Sequence, residues 1–516
     1  MARWVWTCLL FTACSGRSCE PAPRDPAVLI LGTTQEPDTI DPAFTQSASG
    51  LEIMRLLFRD LTELDADWRL VPSLAAELPR VETSSAGPRV NWRLRPGLLW
   101  SDGHPLSAQD LEFGWRLELR PELPTLSHPV AMKVRELRAT SPTELTVVWQ
   151  GPYADFRAPR VHAILPAHAY PPIPSAGVFR GFGKTQVVGS GPFRLQSWSP
   201  GRQLTVEANP HWAGQKPGLD RIQFRFYTSE DALEAGLLAG EIDGTVTGSG
   251  LSLERAEALK ARLLPERIVE WSGSGAWLHL ELRLDDPWLA QRGVREAIDR
   301  AIDRSVLIQL VYGGHGVPAA GLFPPRHPAH RPRAPTPLDL EGAKARVMAA
   351  TPSDTPLRLQ FGAGNPGAER AATYVAAQLQ KIGLPVELEP LPSKVLIERM
   401  EARSQAGLVL YNWRSRPDWD GRSLLHSQGR QNAMGLRSAA VDQALDAAAE
   451  TMDPVLWAEK VAQAEFAALA ELPVIPLAFR EEVTIRPRRL TGFQPTGAGP
   501  TTWNAEAWRL DASVGP

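Results

Sequence analysis

The sequence predicts a soluble α/β protein of several domains, and three observations support this class. Hydrophobic residues make up 43% and charged residues 22% of the 516 residues, as in globular proteins with large buried cores. At roughly 100–200 residues per domain, this length corresponds to two to four domains or lobes. In the second half of the chain, strand-like and helical segments alternate, which indicates a mostly parallel or mixed sheet covered by helices.

The first half of the chain is rich in short strands and turns. Apolar runs, or apolar and polar side chains in alternation, predict strands at residues 28–31, 90–95, 204–207 and 222–227. Residues 51–61 have the apolar spacing of a helix. A turn at Asp102-Gly103 precedes a capping-box-like sequence at residues 107–110, which predicts a helix through Leu117.

The second half has clearer helix signals. Asp303 is a predicted N-cap, and the helix that it starts ends at Gly313. Ser438 and Asp453 are predicted N-caps of two later helices. Between these signals, residues 314–337 form a proline-dense loop or linker. Further helices are predicted at residues 294–302, 369–382 and 393–402, and strands at residues 357–361, 386–388, 408–411 and 474–479.

Charge and cysteine content exclude several classes of protein. The 55 basic and 58 acidic residues give a net charge of −3, which argues against a dedicated nucleic-acid binder. The three cysteines, Cys8, Cys14 and Cys19, all precede residue 20. The body of the chain therefore has no disulfide framework and no thiolate metal site.

The N-terminus has the features of an export signal. One basic residue precedes a short apolar run at residues 5–13, and residues 11–14 (Phe-Thr-Ala-Cys) resemble the lipobox of bacterial lipoproteins, with Phe11 in place of the usual leucine. We expect residues 1–14 to be a signal peptide with a lipobox, Cys14 to be acylated, and the Pro-rich residues 15–27 to form a tether. Cleaved secretion without a lipid, or an ordinary apolar start, are the alternatives.

Motifs of enzymes and metal sites are incomplete. Residues 362–367 match G-x-G-x-x-G, but Pro366 removes an amide from the turn, and the third glycine is expected before the helix, so an ordinary loop is favoured. The ten histidines are scattered and lack metal-ligand spacing, with close pairs only at His162/His168 and His327/His330. Residues 189–191 differ from a nucleophile elbow. No catalytic residue, metal site or cofactor is therefore predicted.

Eight segments between residues 28 and 510 carry characteristic motifs in a fixed order. They lie at residues 39–42 (Thr-Ile-Asp-Pro), 56–61, 71–75, 100–110 (Trp-Ser-Asp-Gly-His-Pro-Leu-Ser-Ala-Gln-Asp), 188–193, 240–243, 294–304 and 472–477. In this order the chain resembles the family-5 extracellular solute-binding proteins of ABC importers, which include oligopeptide-, dipeptide- and nickel-binding proteins.

The resemblance implies a two-lobed, type II-like periplasmic-binding-protein fold with an additional domain and a hinge between the lobes. By family order, lobe I takes residues 28–60, 189–276 and 481–510, the additional domain takes 61–188, and lobe II takes 277–480. The hinge crossings are expected near residues 274–277 and 479–482. Ligand-induced closure is the expected motion.

The resemblance also implies a function. We expect a non-catalytic, monomeric protein that captures a peptide or similar small molecule between its lobes and delivers it to an ABC permease in the inner or cytoplasmic membrane. It would act in the periplasm or another extracytoplasmic space, held to a membrane by its lipid, without nucleic acid. A ligand sensor in signalling or regulation and, with less support, a secreted hydrolase are the alternatives.

Alignment with the family places ligand-binding residues on both lobes. On one lobe they are Gln46, Ser47, Ala48 and Ser49, and on the other Asn412, Trp413 and Arg414. Ordinary loops at the lobe edges are the alternative interpretation of these segments.

One position departs from the family pattern. Peptide-binding members carry an aspartate three residues after the tryptophan that corresponds to Trp413, and this aspartate pairs with the ligand's α-ammonium group. Here Arg416 takes that position, and Asp418 follows two residues later. Arg416 is expected to hold an anionic or N-blocked ligand, unless Asp418 has replaced the missing aspartate. Alternatively, Arg416 points to solvent and pairs with Asp418 or Asp420.

Overall fold

The computed structural model describes residues 28–123, 125, 127–158, 164–170, 187–263, 265–497, 499–511 and 513. The expected signal peptide, Cys14 and the tether lie outside these residues. The described helices are α1 (Ala48–Leu57), α2 (Ala108–Glu118), α3 (His128–Ala131), α4 (Glu230–Leu238), α5 (Leu253–Leu263), α6 (Arg292–Ala301), α7 (Arg304–Tyr312), α8 (Leu340–Met348), α9 (Pro366–Lys381), α10 (Ser393–Glu401), α11 (Arg422–Leu425), α12 (Ala439–Ala449), α13 (Pro454–Glu471) and a 3-10 helix (Thr501–Ala507).

The strands form three main sheets and two small sheets of two strands each. They are β1 (Val28–Thr33), β2 (Thr62–Leu64), β3 (Leu70–Pro72), β4 (Val81–Ser84), β5 (Gly87–Arg93), β6 (Val134–Ala139), β7 (Glu144–Trp149), β8 (Phe193–Ser199), β9 (Gln203–Ala208), β10 (Arg221–Phe226), β11 (Gly244–Thr245), β12 (Arg267–Leu282), β13 (Gly316–Pro318), β14 (Leu357–Gly362), β15 (Val386–Leu391), β16 (Leu408–Arg414), β17 (Val474–Pro487), β18 (Leu490–Thr491) and β19 (Arg509–Leu510).

A five-stranded sheet in the order β11-β1-β10-β9-β8 is the centre of what we call the first lobe. Strand β1 pairs in parallel with β10 and β11, whereas β10, β9 and β8 pair antiparallel. Ser47 is the N-cap of helix α1, and its hydroxyl accepts a hydrogen bond from the Gly50 amide at 3.2 Å. The buried side chains of α1 join the core of this sheet.

An antiparallel sheet in the order β4-β5-β7-β6 is the centre of what we call the additional domain. Helix α2 starts with the capping box that the sequence predicts, formed by Ser107 and Asp110. Trp92, Trp100 and Trp149 are buried in a core that is continuous with the core of the first lobe. The additional domain is therefore packed firmly onto the first lobe.

A mixed six-stranded sheet in the order β13-β17-β12-β16-β14-β15 is the centre of what we call the second lobe. Helices α6, α7 and α9 supply apolar side chains to the core on this sheet. Asp303 and Asp453 cap their helices through side-chain hydrogen bonds, as predicted, whereas Ser438 is an N-cap without such a bond.

Strands β12 and β17 run through both lobes as one long antiparallel pair. Their pairing is interrupted between Gly273 and Trp277, where the register shifts. On one side of this break, the pair contacts the first lobe, because the Ile485 amide donates to Thr245 Oγ1 at 3.4 Å. On the other side, the pair forms the middle of the six-stranded sheet. At the break, a Cβ atom on Gly275 would lie 2.0 Å from the Ser415 carbonyl oxygen, so this close approach requires glycine.

Three local expectations are wrong: α1 ends at Leu57 rather than at residue 61, β13 lies within the segment expected to be a loop, and the start of α9 differs. Helix α9 begins at Pro366 rather than at residue 369, because the Asn365 side chain accepts a hydrogen bond from the Ala368 amide at 3.2 Å and Pro366 suits the first turn. Gly367 therefore lies inside the helix, not before it. Pro366 still lacks the amide that a phosphate-binding turn would use.

Candidate functional site

The predicted ligand segment of the first lobe lies at the start of α1. Gln46 is exposed, Ser47 and Ala48 are half-buried, and Ser49 is buried. The Ser49 amide donates to the Gln35 side chain at 3.4 Å, while its buried hydroxyl has no hydrogen-bond partner among the described residues. The segment is thus a capped, ordered helix start with one exposed residue, Gln46, ahead of it.

The predicted segment of the second lobe forms the end of β16. Asn412, Trp413 and Arg414 pair with Leu278, Trp277 and Ala276 of β12, next to the register break. The exposed Asn412 accepts a hydrogen bond from the Tyr312 hydroxyl at 3.2 Å. The structure therefore places this segment beside the strands that join the lobes.

Charged side chains surround this end of β16. Arg414 forms an ion pair with Glu482 of β17, and the Arg480 guanidinium lies 3.7 Å from the same carboxylate. The Glu482 side chain is only 6% exposed, so the two arginines neutralise a buried charge at the lobe crossing.

Arg416 lies in the loop after β16 and is directed largely to solvent. Its side chain is 72% exposed, and its Nε lies 3.4 Å from Asp418 Oδ1. The loop is anchored by Ser415, whose amide donates to the Gly275 carbonyl at 2.8 Å. This geometry corresponds to the alternative in which Arg416 pairs with a neighbouring aspartate.

The additional domain contributes residues that the sequence did not reveal. Ala154 packs against an apolar cluster of the second lobe that contains Phe323 and Trp457. Beside it, burial, and then the negative charges of Asp418 and Asp420, raise the pKa of Asp155 to about 8. Three carboxylates from two parts of the chain therefore influence one another here. No motif marks Asp155, so only the folded chain brings it to this site.

A second contact crosses between the lobes near the crossing strands. The His315 ring, ahead of β13, stacks on Trp271 of β12 with centroids 3.5 Å apart and an interplanar angle of 11°. His315 Nε2 lies 3.2 Å from Glu257 of α5, and Nδ1 lies 3.4 Å from Glu481. Because α5 packs with the first lobe, this histidine connects the two lobes.

Comparisons with known proteins identify relatives that match most of the chain. The model of bacterial extracellular solute-binding proteins, family 5, matches residues 69–435. The chain is 28% identical to Protein XP55 of Streptomyces lividans over 485 residues, which cover 89% of this chain and 85% of the relative.

Two solved structures share the fold. The ABC transporter substrate-binding protein CtaP of Listeria monocytogenes has a TM-score of 0.82 at 20% identity, covering 94% of this chain and all of that one. The oligopeptide-binding protein AppA of Bacillus subtilis, in complex with a nonapeptide, has a TM-score of 0.70 at 21% identity, covering 94% and 98%. The predicted two-lobed α/β fold is confirmed.

The family is one of extracellular binding proteins, so the predictions of a non-catalytic protein and of an extracytoplasmic location are confirmed. No helix in the described part of the chain is long and apolar enough to cross a membrane. With the family model matched over residues 69–435, the chain belongs to the bacterial extracellular solute-binding proteins, family 5.

Proposed function

We propose that this protein captures a peptide or peptide-like ligand between its lobes and delivers it to an ABC permease. One observation carries the proposal: the two predicted ligand segments lie on different lobes, and one of them adjoins the strands that cross between the lobes. A hinged pair of lobes can enclose a ligand and remove it from water. The nonapeptide bound by AppA, which has the same fold, supports this ligand class.

The ligand lies in extended form between the two segments. Gln46, Ser47, Ala48 and Ser49 contact it from the first lobe, and Asn412, Trp413 and Arg414 contact it from the second. The end of an exposed strand offers backbone groups to an extended peptide, as in strand-addition binding. Trp413 is half-buried and supplies an apolar wall beside these groups.

The ligand's charged end is an ammonium group near Asp418. Two observations support Asp418 over Arg416 as the anchor: Arg416 is largely exposed, and the negative charges of Asp418 and Asp420 act together on the neighbouring Asp155, whose pKa they raise. The positive charge of an ammonium group there would offset the negative charges of these carboxylates, which are costly to bury. Arg416 then serves as a partner of Asp418 at the surface.

We also propose an oligomeric state, a membrane attachment and domain bounds for the protein. The mature protein is a monomer, held to a membrane by lipid on Cys14 through the tether at residues 15–27. Its lobe I takes residues 28–60, 189–276 and 481–510, its additional domain 61–188 and its lobe II 277–480. The β12–β17 pair extends through both lobes, and the break in its pairing between Gly273 and Trp277 supports crossings near residues 274–277 and 479–482.

A thermal-shift screen with peptide mixtures, combined with turnover assays on the same mixtures, tests the function. The proposal expects a raised melting temperature and no turnover, whereas turnover would establish a hydrolase instead. Mass spectrometry of the compound that co-purifies with the protein then identifies the ligand.

Calorimetry with one bound peptide, in free and N-acetylated forms, tests the anchor. We expect acetylation and Asp418→Asn each to weaken binding by about tenfold or more, since each removes one member of a charged pair (~1.4 kcal/mol per tenfold). The control Arg416→Ala should retain binding of the free peptide. Preference for the acetylated form, lost on Arg416→Ala, would instead assign the ligand to Arg416.

A further inference from the structure

Two loops of the additional domain bring three potential metal ligands together. Asp102 and His104 lie in the turn between Trp100 and Pro105, and His168 lies in residues 164–170. One nitrogen from each imidazole and one Asp102 oxygen all lie within 4.8 Å of one another. His168 is distant in sequence from the other two, so its contribution could not be predicted from a motif.

The cluster is arranged around a single carboxylate oxygen. His168 Nε2 lies 2.7 Å and His104 Nδ1 lies 3.2 Å from Asp102 Oδ2. The two imidazole rings stack with centroids 4.2 Å apart and an interplanar angle of 26°. Both rings thus present a nitrogen to the same Asp102 oxygen. A divalent cation bound between these three atoms would be coordinated by a lone pair of each nitrogen and by the carboxylate oxygen.

The loops are held in place by a buried residue that is not itself a ligand. Asp110 Oδ2 accepts a hydrogen bond from the Trp100 indole at 3.2 Å. Its other oxygen, Oδ1, accepts a hydrogen bond from the Ala167 amide at 3.1 Å. The turn is closed by a hydrogen bond from the Trp100 amide to the His104 carbonyl at 2.8 Å. Gly103 has φ +90°, a conformation that glycine adopts readily and that allows this tight turn. The donor atoms therefore start from an ordered framework.

We propose that Asp102, His104 and His168 form a binding site for a divalent first-row transition metal ion, such as Zn²⁺. Two imidazoles and a carboxylate suit zinc and its neighbours better than Ca²⁺ or Mg²⁺, which prefer oxygen ligands alone. The Asp102 and His104 side chains are 32% and 62% exposed, so water can complete the coordination. The bound ion ties residues 164–170 to the turn at residues 100–105.

Calorimetric titration of the tag-free, chelator-treated protein with Zn²⁺ tests the site. We expect one equivalent to bind, and His104→Ala and His168→Ala each to weaken binding at least tenfold. The matched control is His128→Gln, because His128 belongs to the additional domain but bonds the Glu118 carbonyl outside the cluster. Unchanged Zn²⁺ binding in both alanine variants, or no binding by the unmodified protein, would overturn the proposal.

Spectroscopy with Co²⁺ as the probe provides a second measurement. The unmodified protein should give visible absorption bands of imidazole-bound Co²⁺, and His104→Ala should lose them. Since the His104 side chain is exposed, its removal should leave the metal-free melting temperature unchanged, which separates lost ligation from misfolding. Bands that persist in His104→Ala and His168→Ala would place the ion elsewhere and refute the assignment.

Discussion

Replacing Asp155 with asparagine removes a charge from the contact between the additional domain and the second lobe. Burial, and then the charges of Asp418 and Asp420, raise the pKa of Asp155 from 3.8 to about 8. Asparagine keeps nearly the same shape but cannot ionise. The substitution therefore isolates the free-energy cost of holding a carboxylate at this contact.

The sign of the effect follows from the raised pKa. The folded protein binds a proton at Asp155 that the unfolded chain releases above about pH 4, so stability falls as the pH rises from about 4 to about 8. At about 1.4 kcal/mol per pKa unit, the full shift corresponds to at most ~6 kcal/mol. Asp155 is only part-buried. Contact with water, or a small separation of the additional domain from the second lobe, therefore relieves much of this cost. We expect about 1–3 kcal/mol to remain.

Thermal unfolding between pH 5 and pH 9 measures the effect. Asp155→Asn should be more stable than the unmodified protein at pH 8–9, and this advantage should shrink towards pH 5. The matched control is Asp354→Asn, which changes an exposed aspartate in the second lobe. If the Asp155→Asn and unmodified proteins lost stability equally over this pH range, the reasoning about Asp155 would be refuted.

Three further substitutions test the hinge, the contact between the lobes and the lipid attachment at Cys14. Gly275→Ala should destabilise the protein by about 1–3 kcal/mol in chemical denaturation, since its Cβ would lie 2.0 Å from a carbonyl oxygen. The control is Gly273→Ala, because a Cβ at Gly273 would have no atom of the described residues outside its chain neighbours within 4 Å. An equal loss of stability in both variants would contradict the packing argument. His315→Ala removes the stack on Trp271 and should allow the lobes to open. X-ray scattering should then give a larger radius of gyration. An unchanged radius would show that this contact does not hold the lobes together. Cys14→Ser should release the protein from the membrane fraction, and unchanged fractionation would reject lipid anchoring.

Local structure was largely predictable from the sequence because its signals are local. The capping box at Ser107 and the caps at Asp303 and Asp453 depend on residues within one turn of a helix, and all three are present. The start of α9 was missed because Asn365 and Pro366 together form a stronger helix start than the apolar spacing suggested.

The contacts between distant segments could not be predicted in the same way. Asp155 meets the charges of Asp418 and Asp420 only when the additional domain packs on the second lobe. His168 joins Asp102 only because Asp110 holds both loops. Side-chain periodicity contains no information about such pairs, since they depend on how whole sheets pack together.

A crystal structure of the protein with its co-purified ligand tests directly whether both lobes contact the ligand. We expect an extended ligand between the lobes that contacts both residues 46–49 and residues 412–414. Its cationic end should lie nearer to Asp418 than to Arg416. A bound ligand that contacts neither segment would contradict the proposed mode of capture.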